Sequence, residues 1–225
     1  MRKNVPLEDE VVVHAVHQSE GRGQAAAKWH SEAGKSLCFS MFKDMSPLVI
    51  EEQAAINWAV SLGVKKGLEH FGVQQVAVKW PNDILADGRK IGGILIENQW
   101  HAGTMTSSII GVGINVNNTS LPNLPQASSM LLQSGTTFEI SEVLFKIVAG
   151  ISSELKRFVS NDAIELKAEY EAQLFRRNIR SEFEDAEGNR FQGTIKGVSN
   201  GGRLIIELSD GVQDYFAIKQ LKLSY

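Results

Sequence analysis

The chain has 225 residues, of which 43% are hydrophobic and 22% charged, a balance that is typical of a folded globular protein and excludes a largely disordered one. Its formal net charge of -3 provides no overall positive field for nucleic acid or anionic lipid, and no apolar run approaches the roughly 20 residues of a membrane span. Cys38 is the only cysteine, so an intramolecular disulfide is excluded and a cytoplasmic location is expected.

The first third of the chain contains two predicted strands and a predicted helix. The apolar runs at residues 11–16 and 37–42 are typical of buried strands. Ser46 as N-cap and Pro47 at the first helical position predict a helix that ends near Gly72.

The middle of the chain is predicted to form a β-hairpin and its antiparallel continuation. Residues 76–80 form a predicted strand, and Asp87 with Gly88 is a strong signal for a tight turn. The turn leads into a predicted strand at residues 91–96, and residues 106–116 continue the sheet.

Two helices and a β-rich segment complete the predicted fold. One helix has an apolar face from Val143 to Phe158, and a shorter one begins at an Asp162 cap. After these helices, short strand-like runs separated by glycine-bearing turns predict a small all-β barrel that packs on the main domain. The expected domain boundaries are therefore residues 1–176 and 177–225.

A glycine-rich loop follows the first predicted strand. Its sequence from Gly21 to Ala26 fits the spacing of a dinucleotide-binding fingerprint. However, only residues 24–36 separate the loop from the next predicted strand, and Gly34 interrupts this segment. The segment is therefore too short for a helical crossover. The glycines and Arg22 indicate a mobile anion-binding loop, with an ordinary surface loop as the alternative.

A cation and a carboxylate are expected to meet beside the predicted hairpin. Lys79, Asn82 and Asp83 follow the strand closely, and the turn folds Arg89 and Lys90 back beside the strand that carries Asp83. We therefore expect Lys90 and Asp83 to share one pocket. Arg89 is expected at the solvated tip of the hairpin.

Glycines mark two further strand positions where a ligand or another backbone could approach closely. These are Gly92 with Gly93, and Gly111 with Gly113 just before Asn115. A β-bulge is the alternative explanation for the paired glycines. Cys38 lies within an apolar strand and is expected to be a core residue without a role.

These segments, in this order, resemble biotin protein ligases. The resemblance runs from about Val12 to the end of the chain and depends on residues 18–29, 79–83, 89–97 and 111–115. It implies an α+β fold: a catalytic domain of the class II aminoacyl-tRNA synthetase type with a mixed sheet, followed by an SH3-like β-barrel. The implied reaction uses ATP and Mg²⁺ to convert biotin to biotinyl-AMP. Biotin is then transferred to a lysine of a biotin carboxyl carrier protein or another biotin-accepting domain.

The resemblance also assigns residues to the site. Arg22, Asp83 and Lys90 would be catalytic, with Lys90 contacting both carboxylate and phosphate, and with Asp83 either orienting the adenylate or accepting the proton of the incoming lysine. No protein-ligated metal is expected, since Mg²⁺ would be held mainly by the ATP phosphates. The implied biotin contacts are Gln18, Gly21, Arg22, Lys90, Gly92 and Gly93. The implied nucleotide contacts are Arg22, Gln24, Trp29, Lys79, Asn82, Asp83, Lys90 and Asn115.

The sequence departs from the family pattern at two points. Gln24 stands where the family loop commonly has a second arginine, so weaker retention of the adenylate is expected. A Ser-Thr pair that family members carry upstream of the position of Val12 is missing, so either the start is truncated or biotin is held differently. No N-terminal DNA-binding domain is expected, and neither a DNA nor a membrane partner is expected; a homodimer is left open.

Two other functions remain as alternatives. One is a lipoate or octanoate ligase or transferase, which would need a longer apolar slot for the acyl chain. The other is a non-catalytic sensor of biotin or nucleotide.

Overall fold

A computed structural model of the chain describes residues 7–24, 27–48, 53–122, 124–159 and 163–225. Six strands form one large sheet in the order β1-β2-β6-β5-β4-β3, with every pair of neighbours antiparallel. Their bounds are β1 Val12–Ala15, β2 Ser36–Leu48, β3 Val76–Lys79, β4 Asp83–Ala86, β5 Arg89–His101 and β6 Thr104–Asn115.

Helices pack against one face of this sheet, and their apolar side chains form the main core with those of the strands. The two long helices contact each other at glycines, where a Cβ on Gly63 would lie 2.7 Å from the carbonyl carbon of Gly150. The helix bounds are α1 Gln53–Glu69, α2 Met130–Ser134, α3 Ile140–Val159 and α4 Ala163–Ala172. In the described parts of the chain, no helix combines the length and apolarity that crossing a membrane requires.

A second, five-stranded antiparallel sheet follows the helices in the order β10-β9-β8-β7-β11. The α+β class is confirmed, and this small sheet is consistent with the expected SH3-like barrel. The strand-like runs of the sequence are at residues 179–183, 191–198, 204–208 and 215–218, so the last strand of this sheet was not predicted. The bounds are β7 Arg180–Asp185, β8 Arg190–Val198, β9 Leu204–Leu208, β10 Gln213–Phe216 and β11 Leu221–Ser224.

Three expectations about the large sheet are corrected. The sheet is antiparallel rather than mixed, and parallel pairing among the described residues occurs only as isolated bridges such as Val78 with Leu174. The first strand is not buried, because it is an edge strand in which Val13 is 64% exposed. Ser46 and Pro47 do not begin a helix: β2 continues to Leu48, and they lie where its register with β6 shifts, a position that tolerates proline.

Two predicted features fall partly outside the described residues. They are the Asp162 cap of the last helix, and residues 25–26 of the glycine-rich loop.

Candidate active site

The strand register places one residue of each strand of the large sheet in a row across it. Directly paired residues of antiparallel strands point to the same face. The neighbouring row, which includes Phe39, Val112 and Ile94, points to the other face and is buried in the core. The first row is therefore on the face away from the helices, and it consists of Ala15, Cys38, Gly113, Gly93, Asp83 and Lys79.

A cavity of about 330 Å³ lies over the centre of this row. Three strand residues without side chains, Gly93, Gly111 and Gly113, form part of its floor. The glycine-rich loop forms its roof. The loop residues that line the cavity include Gln18, Arg22, Gln24, Lys28 and Trp29.

Asp83 is held between two lysine ammonium groups at one end of the cavity. Lys90 Nζ lies 2.5 Å from Asp83 Oδ1, and Lys79 Nζ lies 3.9 Å from Oδ2. Burial lowers the pKa of Lys79, and the nearby charge of Asp83 opposes that shift. The predicted proximity of Lys90 and Asp83 is confirmed, while their chemical roles stay a prediction.

A tight turn explains how Lys90 reaches Asp83. Asp87 and Gly88 have φ values of 46° and 70°, the left-handed conformations that a two-residue hairpin turn requires. Arg89 is exposed next to the turn, as expected. The backbone N–H of Lys90 donates to the Gln126 carbonyl at 2.8 Å, which fixes its strand against the loop after β6.

The paired glycines of β5 have different surroundings. The register shifts between Ile84 and Leu85, so the alternative of a β-bulge is present beside Gly92. A Cβ on Gly92 would lie 3.0 Å from the Gly113 carbonyl oxygen, on the packed face of the sheet. A Cβ on Gly93 would instead point into the cavity, 3.7 to 3.8 Å from atoms of Trp29 and Lys90. The structure thus brings Gly93 to the cavity but not Gly92.

The Trp29 indole lies directly over the row of strand residues. A Cβ on Gly113 would lie 2.6 Å from Trp29 Cζ2, so only glycine leaves room for the ring in this position. Trp29 Nε1 donates to the Cys38 sulfur at 3.3 Å, and the loop closes through a 2.8 Å bond from Trp29 N–H to the Gly21 carbonyl. Cys38, expected to be core only, is therefore beneath the site; burial raises the pKa of its thiol.

Arg22 makes an ion pair that the sequence analysis missed. Its Nη2 lies 3.1 Å from Glu97 Oε2, and the two side chains are 73% and 48% exposed. Glu97 belongs to β5, two strand positions beyond Leu95, and both residues line the cavity. The alternation of β5 residues is the signal that could have placed Glu97 on the same face as Gly93.

Four predicted site residues either bind the protein backbone through their side chains or line other cavities. Asn82 lines it, but its carboxamide donates to the Ile94 carbonyl at 2.7 Å and so binds the edge of β5. Asn115 is buried and donates to the Ser128 carbonyl at 3.0 Å. Lys79 lines a separate cavity of about 150 Å³, and Gly21 lines another cavity beside the loop, with space for a Cβ blocked by the Trp29 carbonyl oxygen at 2.5 Å.

Comparisons with known proteins point to one protein family. The model of a family described as "Biotin/lipoate A/B protein ligase family" matches residues 3–115. A Bacillus spizizenii protein named bifunctional ligase/repressor BirA is 27% identical over 212 residues, which cover 92% of this chain and 64% of that protein. A Mycobacterium tuberculosis protein named biotin--[acetyl-CoA-carboxylase] ligase is 24% identical over 203 residues, which cover 89% of this chain and 74% of that protein.

One solved structure shares the fold over almost the whole chain. The biotin protein ligase from Aquifex aeolicus, in complex with biotin and ATP, matches with a TM-score of 0.81 at 24% identity. The match covers 99% of this chain and 92% of that one. By contrast, the chain spans 64% of the length of the BirA relative.

Proposed function

Because the chain belongs to the biotin/lipoate A/B protein ligase family, we propose that it activates biotin with ATP as biotinyl-AMP and transfers biotin to a lysine of an acceptor domain. The observation that carries this proposal is the contact of Lys90 with Asp83 at the end of a glycine-floored cavity. A cation beside such a floor suits a reaction that joins a carboxylate to a phosphate.

The first step requires two anions to meet. A carboxylate oxygen of biotin attacks the α-phosphorus of ATP, and the bond to the pyrophosphate oxygen breaks. The Lys90 ammonium stabilises the charge that concentrates between the reacting groups, and Arg22 offers a second cation from the loop. Trp29 and other loop residues line the cavity, and closed over the bound adenylate they would exclude the water that hydrolyses the mixed anhydride.

The second step transfers biotin. The amine of the acceptor lysine attacks the carbonyl carbon of biotinyl-AMP, and AMP leaves. Asp83 either orients the adenylate through Lys90 or accepts the proton that the lysine loses. Mg²⁺ would be held mainly by the ATP phosphates and supply charge neutralisation there; the carboxylates that line the cavity are those of Glu20, Asp83 and Glu97.

The acceptor and the domain organisation are part of the same proposal. The acceptor would be a biotin carboxyl carrier protein or another biotin-accepting domain in the cytoplasm, where the ATP supply and the single reduced cysteine fit. We propose that residues 1–176 form the catalytic domain and that residues 177–225 form the small C-terminal domain. In support, the strands from β7 to β11 form a five-stranded sheet that is separate from the six-stranded sheet, and the two parts are in contact through bonds such as Trp80 Nε1 to the Gly202 carbonyl at 3.0 Å.

One experiment tests the function against its alternatives. The protein is mixed with ATP, Mg²⁺, a biotin carrier domain and either biotin, lipoate or octanoate, and the carrier is weighed by mass spectrometry. We expect a mass increase equal to one biotinyl group. A lipoyl or octanoyl adduct would assign the chain to the other branch of the family. Unmodified carrier without pyrophosphate release would indicate a sensor.

Removing the partner of Arg22 tests whether the loop arginine must leave Glu97 to bind ligand. An exposed ion pair contributes about 0.2–1 kcal/mol, so Glu97→Gln should lower the apparent Kd for biotin in the presence of an ATP analogue by about 1.4-fold to about fivefold. Calorimetric titration with biotin measures this apparent Kd. An unchanged or raised Kd would mean that the pair does not restrain Arg22 in the unliganded protein.

Gln24 lines the cavity where the family loop commonly has an arginine. A neutral carboxamide makes hydrogen bonds of roughly half the strength of charge-assisted ones, so biotinyl-AMP should escape faster. A deficit of about 1.4 kcal/mol corresponds to tenfold faster dissociation. We expect the wild type to label lysines of a bystander such as serum albumin, and Gln24→Arg to reduce that labelling. Equal labelling by both proteins, measured at complete modification of the carrier, would contradict this role.

A further inference from the structure

A further cavity, of about 240 Å³, lies where the small sheet meets the large one. It adjoins the cavity that Lys90 lines, because Gln24, Asn82 and Ile94 line both. The hydrogen bond from Asn82 Nδ2 to the Ile94 carbonyl therefore lies at the boundary between the two spaces. The other walls come from the start of α1, from α4 and from a glycine turn of the small sheet, Gly201–Gly202. We call this space the carboxamide cavity.

The described residues that line the carboxamide cavity are all uncharged. Trp58 and Trp80 are among its apolar walls. Its hydrogen-bonding side chains include the phenol of Tyr170 and five carboxamides, those of Gln24, Gln53, Asn57, Asn82 and Asn98. By contrast, three acidic and three basic side chains line the neighbouring cavity. An ion in the carboxamide cavity would lose hydration without meeting a counter-charge, so the lining favours an uncharged ligand that carries both donors and acceptors.

Tyr170 presents an unpaired hydroxyl at this cavity. The residue is fully buried, and its hydroxyl makes no hydrogen bond of ordinary geometry within the described part of the chain. The Asn57 side chain lies beside it, but Asn57 Nδ2 already donates to the Pro81 carbonyl at 3.0 Å. Burial raises the pKa of Tyr170, so the hydroxyl stays neutral and able to donate. Because an unpaired buried hydroxyl is unfavourable, a ligand acceptor in the cavity would be stabilising.

Two of the carboxamides can bind a ligand without giving up an internal hydrogen bond. Asn82 uses only its NH₂ group, on Ile94, and Asn98 Oδ1 accepts from Ser108 Oγ at 2.7 Å. The Asn82 oxygen and the Asn98 NH₂ form no further bond among the described residues. A carboxamide presents the same donor and acceptor as a peptide group, so these side chains suit the main chain of an extended, uncharged segment.

The position of the carboxamide cavity identifies this segment. We propose that the carboxamide cavity is the passage through which the acceptor lysine reaches biotinyl-AMP, and that its carboxamides and the Tyr170 hydroxyl bind the main chain beside that lysine. This rests on the proposed function, in which the acceptor must enter the space beside Lys90, and the carboxamide cavity adjoins that space at Asn82.

The neutral lining also prepares the lysine for reaction. An ammonium group that leaves water without gaining a counter-charge has a lowered pKa, so its first proton passes to the solvent. The free amine then attacks the carbonyl carbon of biotinyl-AMP. The bond from that carbon to the phosphate oxygen breaks, AMP leaves with the electron pair, and the second proton passes to Asp83 or to AMP.

Charged side chains on the surrounding elements do not alter this neutral character. Lys219, which follows Ile218 of the lining, points to the separate 150 Å³ cavity, and Arg203 is exposed beside Gly202. The others have partners of their own: Glu171 with Arg177 at 3.5 Å, Lys167 with Asn200 at 2.9 Å, Glu97 with Arg22 at 3.1 Å and Asp83 with Lys90 at 2.5 Å.

A carboxylate added without a change of shape tests the passage. Asn98→Asp keeps the oxygen that accepts from Ser108 but places a negative charge in the cavity, which stabilises the lysine ammonium. In single-turnover transfer from preformed biotinyl-AMP at saturating carrier domain, we expect about tenfold slower transfer at neutral pH and a pH profile about one unit higher. Hydroxylamine, which is uncharged at neutral pH, should react with the bound adenylate equally fast in both proteins.

Gln99→Glu is the matched control. It adds the same charge at the next residue of β5, where Gln99 Oε1 accepts from Ser107 Oγ at 3.2 Å, but Gln99 points to the other face of the strand and does not line the cavity. Its pH profile for transfer should match that of the wild type. A wild-type profile in Asn98→Asp, an equal shift in Gln99→Glu, or an equal loss with hydroxylamine would overturn the passage.

Tyr170→Phe gives a readout that needs no catalysis. Removing an unpaired buried hydroxyl should leave the Tm unchanged or raise it, while calorimetric titration with unmodified carrier domain should show about fivefold weaker binding, the effect of one lost hydrogen bond. If the wild type never biotinylates the carrier but this titration behaves as expected, the reaction is wrong and the docking of the carrier in this cavity stands. Unchanged affinity, or a fall in Tm together with affinity, would contradict the role of the hydroxyl in binding the acceptor.

Discussion

Lys90→Ala is expected to lower the rate of biotin-dependent ATP–pyrophosphate exchange by about 10²–10³-fold, while ATP binding weakens much less. The reason is the position of the ammonium group at the junction of the glycine floor and Asp83, where charge would concentrate between carboxylate and phosphate. The backbone of Lys90 is held by the Gln126 and Ser128 bonds, which do not involve its side chain, so the hairpin should keep its shape.

Arg89→Ala provides the matched control, since it removes a neighbouring cation that is exposed at the turn. Exchange in this variant should stay within about twofold of wild type, the change expected of a surface substitution. Near-normal exchange in Lys90→Ala, with ATP affinity measured separately, would exclude Lys90 from the chemistry of adenylate formation.

Asp83→Asn is expected to reduce transfer from biotinyl-AMP to the acceptor by about 100-fold, and to reduce adenylate formation less. An asparagine keeps the shape of the side chain but cannot accept the proton of the incoming lysine. For the first step, the substitution leaves the Lys79 and Lys90 ammonium groups in place and increases their attraction for anions.

Single-turnover transfer from preformed biotinyl-AMP, compared with exchange by the same protein, separates the two possible roles of Asp83. A larger loss in exchange than in transfer would assign Asp83 to orienting Lys90 rather than to the proton. Thermal unfolding of the variant checks that the loss of the carboxylate between the two lysines has not disturbed the fold.

Features that depend on neighbouring residues in the chain could be predicted from the sequence. The turn at Asp87 and Gly88 needs only local chemistry, and it determines that Lys90 lies beside the strand of Asp83. The small β-rich segment was equally predictable, since its turns are marked by glycines. The cap signal at Ser46 and Pro47 was misleading because pairing of β2 with β6 outweighs a local preference.

Features that depend on register between distant strands could not be predicted. The contact of Trp29 with Cys38 requires that β2 pair with β6 in the register that puts Cys38 opposite Gly113. The contact of Tyr225 with Lys79 requires the small sheet to dock beside β3. A one-residue slip in the pairing of β2 with β6 would turn Cys38 to the opposite face, and no local signal in the chain specifies the pairing partner of β2 or the docking of the small sheet.

The row of residues across the large sheet also has a consequence for folding kinetics. Its members come from Ala15 to Gly113, and the central ladder joins Ser36 to Asn115, so the cavity floor is built from pairings that close long loops. Such contacts form late and slowly, because closing a long loop costs chain entropy before the new contacts stabilise the folded protein. Competence to bind ligand should therefore arise in the last phase of refolding, after the helices have formed, and a chain emerging from the ribosome should stay inactive until β6 has been synthesised and paired.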